Sequence, residues 1–155
     1  MKRLSLLFAL ALSSALALAA SLPYDETADA KATLKQALSD AQASHRPVLL
    51  VFGANWCEDC RALDQALKTG RSAELIAREF KVVKIDVGNF DRNLDVDKAY
   101  GDPIRKGIPA AVVLSPDNRV LYATRAGELA DARRMSEHGI YDFFRQAAAN
   151  AQARP

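Results

Sequence analysis

Apolar and polar positions repeat along this chain with two different periods, and the changes of period mark its elements. Val48 to Gly53 is an unbroken run of apolar residues and glycine, which reads as a buried strand. After a short turn the period becomes helical, with Cys60, Leu63, Ala66 and Leu67 on one face of a helix over about 57–68. Upstream, Leu34, Ala37, Leu38 and Ala41 share a face over 30–44. That helix should stop at His45-Arg46-Pro47, because the residue before a proline avoids the helical region.

Downstream, Gly70 is expected to break the second helix, and Ser72 to cap a third carrying Leu75, Ile76 and Phe80. Val82, Val83, Ile85 and Val87 predict a strand over 81–87. A polar loop from Gly88 to Asn93 leads to a short helix over 93–100 and a turn at Gly101-Asp102-Pro103. Ala110 to Leu114 reads as a strand, Ser115 to Asn118 as a turn with proline second, and Arg119 to Thr124 as the antiparallel return. Ile140, Phe143, Phe144 and Ala147 line a last helix over 136–150, followed by a frayed tail at 151–155. Strands joined through a helix should be parallel and those joined by a tight turn antiparallel. The fold class is therefore α/β, a mixed central β-sheet with helices on both faces.

The first residues follow a different logic. Lys2 and Arg3 precede an apolar stretch, Leu4 to Leu18, and Ala17-Leu18-Ala19 offers a small-x-small cleavage site. Residues 1–19 read as a signal peptide, 20–30 as a polar lead-in and 31–150 as one folded domain. The stretch is short for a membrane span. Export implies a disulfide-permissive compartment. With no glycosylation sequon and no retention tail, a bacterial periplasm is the expectation. The whole chain has 21 basic and 19 acidic residues, and losing Lys2 and Arg3 leaves it balanced. There is no basic patch of the kind nucleic acid requires.

Both cysteines of the chain lie in Cys57-Glu58-Asp59-Cys60, where the buried strand hands over to a helix. A helix N-terminus presents free N–H groups and partial positive charge, which stabilise a thiolate. Two intervening residues let the second sulfur reach the first within one turn. Such a pair can form a mixed disulfide and resolve it internally, with Cys57 as exposed nucleophile and Cys60 as the more buried resolving thiol. Zinc is the competing reading, but a site needs three or four ligands, and His45 and His138 lack ligand spacing to the motif.

Trp56-Cys57-x-x-Cys60-Arg61 after an apolar strand resembles the active site of the thioredoxin superfamily. Lys106-Gly107-Ile108-Pro109-Ala110 resembles that family's segment ending in a cis-proline, and Val120 to Gly127 its closing strand and glycine. The resemblance covers roughly residues 31–148. It implies a thioredoxin-like fold and an exported disulfide reductase or isomerase acting on cysteine-containing proteins. It implies a membrane thiol–disulfide electron donor, a monomer, and no cofactor beyond the Cys57–Cys60 disulfide. A disulfide-introducing oxidase and a non-enzymatic binding module on the same fold are the alternatives.

Around the cysteines, Trp56 could exclude water and offer a flat contact to a substrate peptide, or simply pack. Pro109, if cis, would set the Ile108 backbone opposite Cys57, where it could pair with an extended substrate. Glu58 and Asp59 suit a first helical turn on general grounds. They would also oppose a Cys57 thiolate and make the protein a better reductant, with Arg61 pulling the other way. Val51 stands where many thioredoxins carry a buried aspartate, so another base is needed for Cys60. Glu58, Asp59 or water could serve, and Asp86 less readily.

Overall fold

A computed structural model of the protein describes residues 22–153. The expected signal segment, residues 1–19, lies outside the described residues. Helix α1 (Ala30–Ser44) begins where the Asp29 carboxylate accepts the Ala32 N–H, leaving an amide that the helix itself cannot pair. It leads into β1 (Val48–Gly53), then α2 (Glu58–Leu67), α3 (Gly70–Glu79) and β2 (Lys81–Asp86). After α4 (Leu94–Ala99) and a 3₁₀ turn at Pro103–Lys106 come β3 (Ala110–Leu114) and β4 (Val120–Ala123). A second 3₁₀ turn at Ala132–Arg134 precedes α5 (Glu137–Gln152).

The strands form one mixed sheet in the order β2-β1-β3-β4. Every residue of β1 and β3 is buried, as their unbroken apolar runs require of central strands. Their side chains alternate between two cores. Val48, Leu50 and Phe52 face α1 with Val83, Ile85 and Val112. Leu49 and Val51 face Leu63 of α2, Leu75 and Ile76 of α3, and Phe144 of α5. Helices thus cover both faces, as the sequence predicts.

One strand direction differs from expectation. β1 and β2 are parallel, but β3, although reached through a helix, runs antiparallel to β1. The register explains it: Asp86 at the end of β2 pairs with Gly53, and Ala110 at the start of β3 pairs with Phe52. The chain leaves β2 and enters β3 at the same end of the sheet. At about 1.5 Å per residue, the six-residue α4 is too short to recross it. This puts the Lys106–Pro109 segment beside the end of β1, where the cysteine motif begins. β3 and β4 are antiparallel, with a bulge between Val113 and Leu114.

Two boundaries also differ. Gly70 opens α3, with a φ of 53°, instead of ending α2, and Thr69 takes the extended capping conformation before it. Ser72 therefore sits inside the helix, fully buried, and caps nothing. At the other end α5 runs on to Gln152. Ala151 is buried and Gln152 donates to Glu79 at 3.1 Å, so these two residues are not frayed.

Asp97 in α4 is buried and accepts the Ile104 N–H at 3.2 Å. Burial, with a contribution from Asp102, pushes its carboxyl above the usual range. A raised folded pKa penalises the folded state once pH climbs through the carboxyl range. Asp97→Asn keeps the acceptor and loses the charge. It is expected to melt higher than wild type at neutral pH, with the gap closing as pH falls below that range in thermal scans.

Candidate functional site: a disulfide at the start of a helix

Three chain segments converge at the C-terminal end of β1. The strand ends at Gly53, and a turn in which the Cys57 N–H donates to the Ala54 carbonyl at 3.2 Å swings the chain into α2. Cys57 is the residue that caps α2: its φ of −74° and ψ of 114° are extended, and its Sγ accepts the Cys60 N–H at 3.1 Å. Cys57 and Cys60 are joined as a disulfide, their Cα atoms 5.2 Å apart. The sulfur that would become a thiolate on reduction already receives a helix-terminal N–H.

Cys57 is less open than the sequence suggests, with 6% of its surface exposed, but Cys60 is fully sealed at 0%. Access therefore differs in the expected sense. The Ile108 carbonyl oxygen lies 3.7 Å from Cys57 Sγ, and the Ile108–Pro109 peptide bond is cis. Trp56 is exposed. Its indole N–H donates to the Gly88 carbonyl at 2.8 Å, and its ring meets Phe90 edge-on with centroids 6.0 Å apart. The loop read only as polar thus presents a second exposed aromatic ring beside Trp56.

The charged residues of the motif are engaged elsewhere. Arg133 is ion-paired with Glu58, its Nε lies 3.6 Å from Asp59, and its backbone N–H donates to Asp59 at 3.0 Å. The two carboxylates tie the second 3₁₀ turn to α2, and the guanidinium offsets their charge beside Cys57. Arg61 turns back to donate to the Asn55 carbonyl at 2.7 Å, bracing the turn before Cys57. Val51 packs in the apolar core with Leu63, so no acid reaches Cys60 from that position. Asp86 is buried at the end of β2 and lies 3.3 Å from Arg92. His45 is exposed at the end of α1, and His138 is exposed on α5, 3.0 Å from Asp142.

A model of the family described as Thioredoxin-like matches residues 29–116. The chain belongs to this thioredoxin-like family. Among solved structures it is similar to a disulphide isomerase from Xylella fastidiosa Temecula1, at 60% sequence identity and a TM-score of 0.81, covering 82% of this chain and 97% of that one. It shares its fold with a thioredoxin from Thermus thermophilus, at 20% identity and a TM-score of 0.58, over 77% of this chain and 86% of that one. The C-terminal domain of Neisseria meningitidis DsbD shares it too, at 23% identity and a TM-score of 0.52, over 75% and 95% of the two chains. A comparison with curated proteins gave no match. The chain therefore has the thioredoxin-like disulfide oxidoreductase fold, with its Cys-x-x-Cys pair present as a disulfide.

The lead-in to this thioredoxin-like domain belongs to the site, which the sequence does not reveal. Asn55 clasps it: its side chain accepts the Tyr24 N–H and donates to the Tyr24 carbonyl, both at 2.9 Å, and donates to Glu26 at 2.9 Å. Arg92 adds a bond to the Glu26 carbonyl at 3.0 Å. Tyr24 is buried as a result. A single aromatic residue in a polar stretch, two positions after the exposed Leu22, carries no periodicity that would have flagged it. The asparagine one residue before Trp56 is the only local hint.

Proposed function

We propose that the protein is an exported thiol–disulfide oxidoreductase that reduces or isomerises disulfides in protein substrates. One observation carries this reading: Cys57 Sγ caps α2 within 3.7 Å of the Ile108 carbonyl, while Cys60 is sealed behind it. Reduced Cys57, its thiolate favoured by the helix N-terminus, attacks a substrate disulfide. A bond forms between Cys57 and one substrate sulfur, and the other substrate sulfur leaves and takes a proton. The Cys60 thiolate then attacks Cys57, restoring the disulfide and releasing the second substrate thiol. The chain's own pair supplies both electrons, so no other cofactor is required. Trp56, Ile108 and Pro109 border the path along which an extended substrate would approach, and Phe90 widens its apolar side. Glu58, Asp59 and Arg61 tune Cys57, with Arg133 restraining the first two.

The 60% identity to a protein described as a disulphide isomerase supports the reducing or isomerising direction. The signal-like residues 1–19 support export to a bacterial periplasm. A reductase there needs a membrane thiol–disulfide electron donor, and the protein would work as a monomer. The test is the reduction potential of the Cys57–Cys60 pair, from equilibration of the domain in thiol buffers. A value near the roughly −270 mV of thioredoxin is expected. A value near the roughly −120 mV of a strong oxidant would assign the protein to disulfide introduction instead.

A further inference from the structure

Gly53 has no side chain, and two groups meet over it. A Cβ placed there would lie 2.2 Å from Tyr24 Oη, 2.5 Å from its Cζ and 2.9 Å from Cys60 Sγ. The phenol and the resolving sulfur therefore share the small space that the glycine leaves open. Both residues are buried, Tyr24 at 3% exposed and Cys60 at 0%. The lead-in backbone that carries Tyr24 is fixed by the Asn55 clasp, independently of the phenol itself.

We infer that Tyr24 is the hydrogen-bond donor to the Cys60 sulfur in the reduced and mixed-disulfide states, and that it promotes the resolving step in place of the acid absent at Val51. This rests on the redox reading of the Cys57–Cys60 pair. Burial raises the Tyr24 pKa well above its ordinary value, with the nearby charges of Asp64 and Asp86 adding to the effect. The phenol thus keeps its proton at neutral pH and acts as a donor, not as a base. Those two carboxylates are themselves held by cations: Asp64 by Lys68 and Lys84, and Asp86 by Arg92. In the resolving step the Cys60 thiol releases its proton to solvent, and its thiolate attacks Cys57 Sγ. The Cys57–Cys60 bond forms, the bond from Cys57 to the substrate sulfur breaks, and the departing substrate thiolate takes up a proton. A donor on Cys60 stabilises the thiolate that must form first.

The variant is Tyr24→Phe, which removes one oxygen and keeps the ring. The assay is stopped-flow reaction of the reduced protein with a symmetric aromatic disulfide. The first coloured thiolate released reports attack by Cys57, and the second reports resolution by Cys60. Across a pH series, the variant should show an unchanged first phase, a second phase about tenfold slower at neutral pH, and a Cys60 pKa raised by about one unit. A second phase with wild-type rate and pH profile would overturn the proposal. So would equal slowing of both phases, which would mean general disturbance of the site. A second measurement uses the wild-type protein, so it does not depend on the variant folding: the Tyr24 ring carbon bearing oxygen should shift in NMR as Cys60 titrates after Cys57 has been alkylated. No such shift would also overturn it. If the wild-type protein fails to cycle at all, the redox reading falls, which separates that failure from this one.

Discussion

Cys57→Ser is expected to reduce disulfide-reductase activity on a protein substrate to the uncatalysed background, while Cys60→Ser is expected to trap substrate covalently. Cys57 is the sulfur with surface to offer, and the N-terminus of α2 points at it. Serine at this position is a good helix cap, so α2 keeps its N-terminal partner and the variant should stay folded. Its hydroxyl does not ionise at neutral pH and cannot replace the thiolate. In Cys60→Ser the attacking sulfur remains but nothing resolves the intermediate, so a mixed disulfide should accumulate and run as a higher-mass species on a non-reducing gel. Both variants lose the same cross-link, so the contrast between them isolates the chemistry from any loss of stability. Full activity in Cys57→Ser would leave only a binding role for this fold.

Gly127→Ala should be strongly destabilising. Gly127 has a φ of 77°, and a Cβ there would lie 2.7 Å from the Lys106 carbonyl oxygen. The left-handed conformation costs an alanine about 1–2 kcal/mol. Overpacking against a backbone atom adds about 1–3 kcal/mol, because a carbonyl cannot rotate away as a side-chain tip can. A loss of roughly 2–5 kcal/mol in urea unfolding is expected from the two together. Gly101→Ala is the control. Gly101 also has a positive φ, 89°, but a Cβ there would meet nothing within 4 Å. It should show the conformational cost alone. Because Lys106 leads directly to Ile108 and Pro109, Gly127→Ala should also weaken turnover of a protein substrate, and Gly101→Ala should not.

Much of this architecture is readable from local patterns. A short apolar run rich in β-formers and bounded by turn residues reads as a buried strand, and β1 spans the residues that its run delimits, Val48–Gly53. The redox pair is equally local, since spacing and a strand-to-helix junction define it. The rest depends on contacts between residues far apart in sequence. The direction of β3 follows from where β2 ends and how short α4 is, which no window of residues contains. Ser72 looks like a cap because serine often is one. A glycine with positive φ starts α3 two residues earlier and carries Ser72 inside the helix. Glu58 and Asp59 look like free charges beside Cys57 until Arg133, more than seventy positions away, is seen to engage them. Phe90 and Tyr24 are single aromatic residues in polar stretches, and their importance comes from Trp56 and Cys60, their spatial neighbours.

The order of the sheet also bears on how the folded protein avoids its own kind. Among the described residues, β2 and β4 border the sheet. A border strand is an invitation to a foreign strand unless something spoils it. Here β2 carries Lys81 and Lys84, and any newcomer would have to accommodate those cations, one of them already bound to Asp64. β4 is only four residues long and is paired through a bulge, so it offers a short and kinked template. The long apolar strands that would be hazardous if exposed, β1 and β3, are both interior. Among the described residues both borders are therefore poor templates for an added strand.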